Sequence, residues 1–188
     1  NYTYTNKIRG YPYLKVFNTI EPRLYQQMIF SECVKTSGNT LVVLPTGLGK
    51  TIIMAYLVAY TLKKIPESKK IVVITPTRPL VRQIREMFLQ IINQLNPNTI
   101  VEVSGMIQPS KRQEIYKDAK IIVGTPQTIE NDLIYDRLNN KSIDLLLIDE
   151  AHRATGNYAY VGIAKSVNCK ICLLYTSPSP RDLSTSRM

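Results

Sequence analysis

The sequence lacks an apolar run long enough to cross a membrane as a helix, and it lacks the pattern of a cleaved signal peptide. It contains one histidine and shows no internal repeat. These absences argue against a membrane protein, a secreted protein and a repeat array. They predict a location inside the cell, in the cytoplasm of a prokaryote or the nucleus of a eukaryote. The chain begins with Asn1 rather than Met, which predicts a fragment at that end.

What is present fits one domain with a substantial core, because 44% of the 188 residues are hydrophobic. The formal net charge is +10 and the sequence pI is about 9.5. This basic balance suits a polyanionic partner such as nucleic acid. Many other proteins are equally basic, so charge alone raises that expectation only modestly.

Hydrophobic periodicity predicts alternating strands and helices, which is the pattern of a parallel sheet covered on both faces. The predicted strands are Leu41–Leu44, Ile71–Thr75, Ile100–Val103, Ile121–Gly124 and Leu145–Ile148. The predicted helices are Glu21–Val34, Thr51–Lys64, Pro79–Leu95, Gln127–Tyr135 and Tyr158–Lys165. Residues 1–19 are Tyr-rich and are predicted to form a poorly ordered leader.

A phosphate-binding loop is predicted between the first of these strands and the helix that follows it. Its sequence is Leu-Pro-Thr-Gly-Leu-Gly-Lys-Thr, residues Leu44–Thr51. Gly47 and Gly49 let backbone N–H groups approach phosphate oxygens, Lys50 can reach the β- and γ-phosphates, and Thr51 can bind Mg²⁺. Leu44 stands where the usual pattern begins with glycine, so a second signal is needed.

That second signal is Asp149-Glu150-Ala151-His152, which directly follows the apolar strand Leu145–Ile148. The carboxyl ends of parallel strands are where α/β sheets bind ligands. An Asp-Glu pair at a strand end is often only a solvated turn. Because this pair comes after a phosphate loop, and each motif follows a buried strand, the two together predict hydrolysis of a nucleoside triphosphate.

These motifs carry a family resemblance that extends over about Ile20–Ile171. The chain is similar to the first RecA-like lobe of superfamily 2 helicases of the DEAH type, in the branch of archaeal Hef helicase-nucleases and the Fanconi anaemia group M translocase. Gly156–Tyr160 is typical of that branch and differs from DEAD-box and RIG-I-like relatives. The segments that carry the resemblance are Leu44–Thr51, Thr75–Val81, Thr125–Leu133 and Asp149–Tyr160.

The resemblance implies an α/β fold, a RecA-like (P-loop) lobe with a mostly parallel sheet and helices on both faces. It implies an ATP-dependent DNA helicase or translocase that acts on branched or fork DNA in repair, with ATP and Mg²⁺ as cofactors. The expected partner is branched or double-stranded DNA, with no membrane and with repair-factor partners left open. The chain is expected to be an N-terminal fragment without the second lobe, and therefore nearly inactive alone.

The resemblance also assigns roles to particular residues. Thr51 and Asp149 would hold the metal, Lys50 would contact phosphates, Glu150 would orient or deprotonate water, and His152 would relay the nucleotide state. The other nucleotide contacts would be Arg23, Tyr25, Gln26, Thr46, Gly47 and Gly49. The nucleic-acid backbone would meet Thr77, Arg78, Gln83, Gly105, Thr125, Pro126 and Gln127. Lys111, Arg112, Lys117 and Lys120 are expected to lie on a solvated helix face rather than to extend this track.

Two alternatives stay open. One is an RNA-directed superfamily 2 helicase of the RIG-I or Dicer type, which Gly156–Tyr160 disfavours. The other is a catalytically silent nucleic-acid clamp, which the presence of Lys50, Thr51, Asp149 and Glu150 disfavours.

The last residues, 172–188, are predicted to be a sequencing artefact rather than a domain. The run that begins Cys-Leu-Leu-Tyr-Thr-Ser-Pro-Ser-Pro-Arg-Asp at Cys172 matches the translation of a transposase-type sequencing adapter. The predicted lobe therefore covers 20–171, truncated. Without Cys172, the pattern Cys169-x-x-Cys172 is not a metal or redox pair, and Cys33 and Cys169 are isolated thiols in a reducing compartment.

Overall fold

The structure is a computed structural model that describes residues 7–8, 11–15, 23–45, 49–92, 95–150 and 158–177. The strands are β1 Lys7–Ile8, β2 Tyr11–Lys15, β3 Thr40–Pro45, β4 Lys70–Ile74, β5 Ile100–Val103, β6 Ile121–Gly124, β7 Ile143–Asp149 and β8 Lys170–Ser177. The helices are α1 Leu24–Lys35, α2 Lys50–Leu62, α3 Arg78–Ile91, α4 Pro109–Asp118, α5 Pro126–Ile134 and α6 Tyr158–Ser166. A short 3₁₀ helix, Asn140–Ser142, precedes β7.

Among the described residues, six strands form one parallel sheet in the order β3-β8-β7-β4-β6-β5. All of their carboxyl ends therefore meet at one edge of the sheet, which we call the carboxyl edge. Within the segment predicted to be a leader, β1 and β2 pair antiparallel in a separate two-stranded sheet. The predicted α/β fold with a parallel sheet is confirmed.

Alternation along each strand divides the core between the two faces of the sheet. In β4, Ile71 and Val73 pack into the cluster that contains α1, α2 and α3, whereas Val72 and Ile74 pack into the cluster that contains α4, α5 and α6. All four side chains are fully buried. This explains why the strand reads as a continuous apolar run, and it confirms that helices cover both faces.

Helix α3 illustrates how local sequence positions an element. Its buried residues Val81, Ile84, Phe88 and Ile91 recur at helical spacing, and Thr77 at the N-cap accepts a hydrogen bond from Leu80 N at 3.4 Å. The prediction that this helix continues to Leu95 is wrong. Ile92 adopts extended backbone (φ −84°, ψ 110°) and keeps its side chain buried, so the apolar contacts continue after helical spacing has ended.

Strand β8 contains residues from the segment predicted to be adapter sequence. It lies between β3 and β7, and it buries Cys172 and Leu174. The domain boundaries inferred from the sequence stay a prediction. Among the described residues, no helix has the length and apolar character needed to span a bilayer.

Candidate nucleotide and nucleic-acid sites

The phosphate loop joins β3 to α2, and its predicted contacts Thr46 and Gly47 lie outside the described residues. Gly49 is the N-cap of α2 and adopts left-handed backbone (φ 72°). A Cβ at this position would also come within 2.5 Å of Gln26 Nε2. The left-handed backbone therefore favours glycine here, and a larger residue would also displace the end of the Gln26 side chain. Lys50 and Thr51 follow as the first residues of α2.

The start of α1 packs against this loop. The Gln26 side chain is 2% exposed, and its Oε1 accepts a hydrogen bond from the Arg23 backbone N–H at 3.0 Å. Its amide nitrogen lies toward Gly49, as the close approach to that residue shows. Tyr25 is half-buried and Arg23 is exposed. The structure thus brings Gln26 to the phosphate loop, whereas its contact with adenine stays a prediction.

Lys50 joins the two predicted motifs. Its Nζ lies 2.5 Å from Asp149 Oδ1 and also donates to Glu150 Oε1. Both carboxylates are buried, and Glu150 adopts left-handed backbone (φ 54°), which is uncommon for a residue with a side chain. Thr176 donates a second hydrogen bond to Glu150 Oε1 at 2.8 Å. Residues 100 positions apart in the chain therefore form one charged cluster at the carboxyl edge.

The oxygen ligands of this cluster suit a divalent cation. Burial raises the pKa of Asp149 above its ordinary value, and the Lys50 ammonium only partly offsets that effect. Among the described residues no group of three or more His, Cys, Asp or Glu side chains could hold a metal. Mg²⁺ usually binds one or two carboxylates and takes its other ligands from phosphates and water. Asp149 at the carboxyl edge and the Thr51 hydroxyl at the start of α2 supply oxygen ligands of the kind that suits Mg²⁺ arriving with a nucleotide. His152 lies outside the described residues.

Thr75 is a site residue that the sequence analysis missed. It is fully buried just after β4, and its hydroxyl donates a hydrogen bond to Asp149 Oδ2 at 3.1 Å. The contact arises because β4 and β7 are neighbours, with Ile74 opposite Ile148. A polar residue at the end of an apolar strand was the available signal, but its partner depends on strand order.

The predicted nucleic-acid contacts lie on the other half of the carboxyl edge, after β4, β6 and β5. Thr77 and Arg78 are exposed at the start of α3, and Gln83 is exposed one turn later. With Ser104 and Met106 beyond β5, Arg78 and Gln83 line a groove of about 600 Å³.

Two further predicted contact segments flank that groove. Gly105 is exposed after β5, and among the described residues no atom beyond Gly105 and its two chain neighbours lies within 4 Å of the place that a Cβ would occupy there. Thr125 caps α5, where Pro126 is buried and Gln127 is exposed. The structure brings these segments to one edge, and nucleic-acid contact itself stays a prediction.

One expectation about the basic residues is wrong. Lys111 and Lys117 are exposed on α4 as expected, but Arg112 is 5% exposed. Arg112 is buried because a fully buried carboxylate, Asp132 on α5, binds its guanidinium. Lys120 is half-buried after the helix and donates to the backbone carbonyls of Pro66 and Lys69.

The parallel sheet, with a phosphate loop and an Asp-Glu pair at its carboxyl edge, defines a RecA-like P-loop lobe. Residues 19–177 match the family described as type III restriction enzyme, res subunit. The chain belongs to that family.

Similar proteins agree with this assignment. The chain is 43% identical over 162 residues to MJ1505 of Methanocaldococcus jannaschii, whose name describes an ATP-dependent RNA helicase; the match covers 86% of this chain and 20% of that protein. It is 38% identical over 151 residues to the DEAD-box ATP-dependent DNA helicase Fancm of Drosophila melanogaster, a match that covers 78% of this chain and 10% of that protein. The chain thus spans a fifth or less of these relatives.

A solved structure extends the comparison to three dimensions. The Hef helicase domain of Pyrococcus furiosus has a TM-score of 0.73 and 41% sequence identity, and the match covers 87% of this chain and 35% of that chain. The RecA-like fold and the resemblance to the Hef and Fanconi group M branch are confirmed.

Proposed function

We propose that this chain is the ATP-binding lobe of an ATP-dependent DNA helicase or translocase of the Hef and Fanconi group M type, acting on branched or fork DNA. The observation that carries the proposal is the division of the carboxyl edge. Lys50, Asp149 and Glu150 cluster on the β3 and β7 side, and the predicted nucleic-acid contacts follow β4, β6 and β5. Thr75 connects the two halves through Asp149.

The chain's own residues suggest how this site would work. Lys50 pairs with both Asp149 and Glu150, and its single positive charge offsets one of their two negative charges. On binding ATP, the Lys50 ammonium would move to the β- and γ-phosphates, and Glu150 would accept a proton from the attacking water at a carboxylate oxygen. Thr51 and Asp149 would hold Mg²⁺, which supplies charge neutralisation at the phosphates when it is bound.

On the opposite half, exposed Arg78 and the start of α3 would contact phosphates of the DNA backbone. Such contacts position a protein on nucleic acid but carry no sequence information. The relative MJ1505, whose name describes an RNA helicase, supports an RNA-directed enzyme as the second candidate.

ATP hydrolysis by the complete protein, measured with fork DNA, duplex DNA or duplex RNA, separates these candidates. Stimulation by DNA above that by RNA supports the proposal, and stimulation by RNA alone favours the second candidate. Hydrolysis that no nucleic acid stimulates would contradict both.

Two variants assign the roles. Lys50→Ala should abolish hydrolysis and leave DNA binding nearly intact, because the two sets of contacts follow different strands. Glu150→Gln should retain ATP and DNA together without turnover, and normal turnover in this variant would remove Glu150 from its role.

A further inference from the structure

A buried ionic network joins α4 to α5, and the nucleotide site does not use it. Asp132 on α5 is fully buried and binds Arg112 of α4 in bidentate fashion, with Arg112 Nε 2.7 Å from Oδ2 and Nη2 2.8 Å from Oδ1. Tyr116 also donates to Oδ2, and Arg137 Nε donates to Oδ1 at 2.7 Å. Three side chains, two from α4 and one from the segment after α5, therefore converge on one carboxylate.

The hydrogen bonds of this network favour the ionised form of Asp132. Burial acts to raise the pKa of Asp132, but the hydrogen bonds from Arg112, Tyr116 and Arg137 outweigh it and keep that pKa below its ordinary value. Well-packed apolar side chains often match or exceed the stability of a buried ion pair. Stability alone is therefore a weak reason for an arginine and an aspartate at these positions. The positions that their hydrogen bonds fix are a stronger reason.

Arg112 also contacts the turn that follows β5. Arg112 Nη1 donates to the carbonyl of Ile107, which lies in the turn Ser104–Gln108, here called the Gly105 turn. The turn is otherwise closed by its own hydrogen bonds, from Ile107 N to Ser104 O at 3.1 Å and from Met106 N to Ser104 Oγ at 3.3 Å. One guanidinium thus connects the Gly105 turn to α5, whose first turn contains Pro126 and Gln127.

We propose that Arg112 is a positioning residue for nucleic-acid binding. Anchored on Asp132, it holds the Gly105 turn at a fixed place relative to the start of α5, so that both segments present their groups to the same nucleic-acid backbone. This role rests on the proposed function, because it names a residue that shapes the surface for which that function requires DNA.

The chain offers a matched control in Arg137. Arg137 donates to the same carboxylate, but among the described residues its side-chain hydrogen bond goes to Asp132 and not to the Gly105 turn. Arg112→Met and Arg137→Met therefore both remove a cation from Asp132, and only the first releases Ile107. A double variant, Arg112→Met with Asp132→Leu, removes the buried carboxylate together with the guanidinium that binds it. This variant also lacks the hydrogen bond from Arg112 to the Ile107 carbonyl.

The experiment measures binding of a fluorescein-labelled duplex DNA to the chain by anisotropy at low salt. Arg112→Met and the double variant should bind about tenfold more weakly than the wild type, the loss that corresponds to one charge-assisted hydrogen bond. Arg137→Met should bind as the wild type does. Binding of a fluorescent ATP analogue should be unchanged in all three variants, since the Lys50 cluster lies on the other half of the edge.

Hydrogen exchange supplies a second readout that does not depend on DNA. The amides of Met106 and Ile107 should exchange faster in the double variant than in Arg137→Met. Wild-type DNA affinity in a folded double variant, or equal losses in Arg112→Met and Arg137→Met, would overturn the positioning role. Failure of the wild-type chain itself to bind DNA would instead contradict the proposed function, and with it this role.

Discussion

Replacing Lys50 with alanine is expected to destabilise the nucleotide-free chain by about 3 kcal/mol. Lys50 is the cation for two buried carboxylates, with side chains 15% exposed for Lys50, 6% for Asp149 and 9% for Glu150. Removing one partner of a buried ion pair costs about 3–5 kcal/mol. The lower end applies because Lys50 keeps some solvent contact and Thr75 still donates to Asp149.

Urea unfolding at neutral pH, followed by circular dichroism, measures this loss. The variant Lys117→Ala is the control, because Lys117 and its partner Glu114 are both exposed, and an exposed pair contributes at most about 1 kcal/mol. In a double-mutant cycle, Lys50→Ala with Glu150→Gln should lose less than the sum of the single losses, since one unpaired charge is removed. Wild-type stability in Lys50→Ala, or strictly additive losses, would refute the reasoning.

Three other predictions follow from the same contacts. Thr75→Val should lower the stimulation of ATP hydrolysis by DNA in the complete protein, while Thr75→Ser keeps the hydroxyl that donates to Asp149 and should retain it; equal stimulation would contradict this. The pKa of Asp132 is lowered on folding, so its contribution to stability is present above the unfolded value of about 4 and is lost as the pH falls through the folded value. Below pH about 4, the free energy of unfolding of Asp132→Asn should therefore fall less steeply with decreasing pH than that of the wild type. Parallel curves would exclude this contribution of Asp132 to stability. Independent long reads of the locus should replace residues 172–188 with a continuation that also supplies apolar side chains where Cys172 and Leu174 are buried; unchanged reads would refute the adapter interpretation.

The strands could be predicted closely because each is a short run made mostly of apolar residues. Ile100–Val103 and Ile121–Gly124 begin and end where the sequence predicted. The second is a mostly β-branched run that is buried along its whole length, whereas the first lies at the edge of the sheet and buries only Ile100 and Val103. The phosphate loop and Asp149–Glu150 could be predicted because each directly follows a run of apolar residues, although β3 buries only Val42 and Leu44. Helix ends were less accurate, as Ile92 shows, because an apolar side chain stays buried in either backbone conformation.

Two contacts between distant residues, from Arg112 to Asp132 and from Thr75 to Asp149, could not be predicted. Arg112 lies on a polar helix, and its burial depends on a carboxylate 20 residues later that local sequence does not pair with it. The hydrogen bond between Thr75 and Asp149 depends on β4 lying beside β7, although β5 and β6 separate them in the chain. Both cases require the strand order, which periodicity alone does not specify.

The neighbouring positions of β4 and β7 have a thermodynamic consequence. If DNA bound beyond β4 shifts Thr75, the shift alters the hydrogen bond that orients Asp149, and the two ligands share one coupling free energy. Linkage then requires reciprocity: whatever factor DNA applies to the affinity for nucleotide, nucleotide must apply to the affinity for DNA. A coupling of about 1.4 kcal/mol, which lies within reach of a single buried hydrogen bond to a charged group, would change each affinity tenfold.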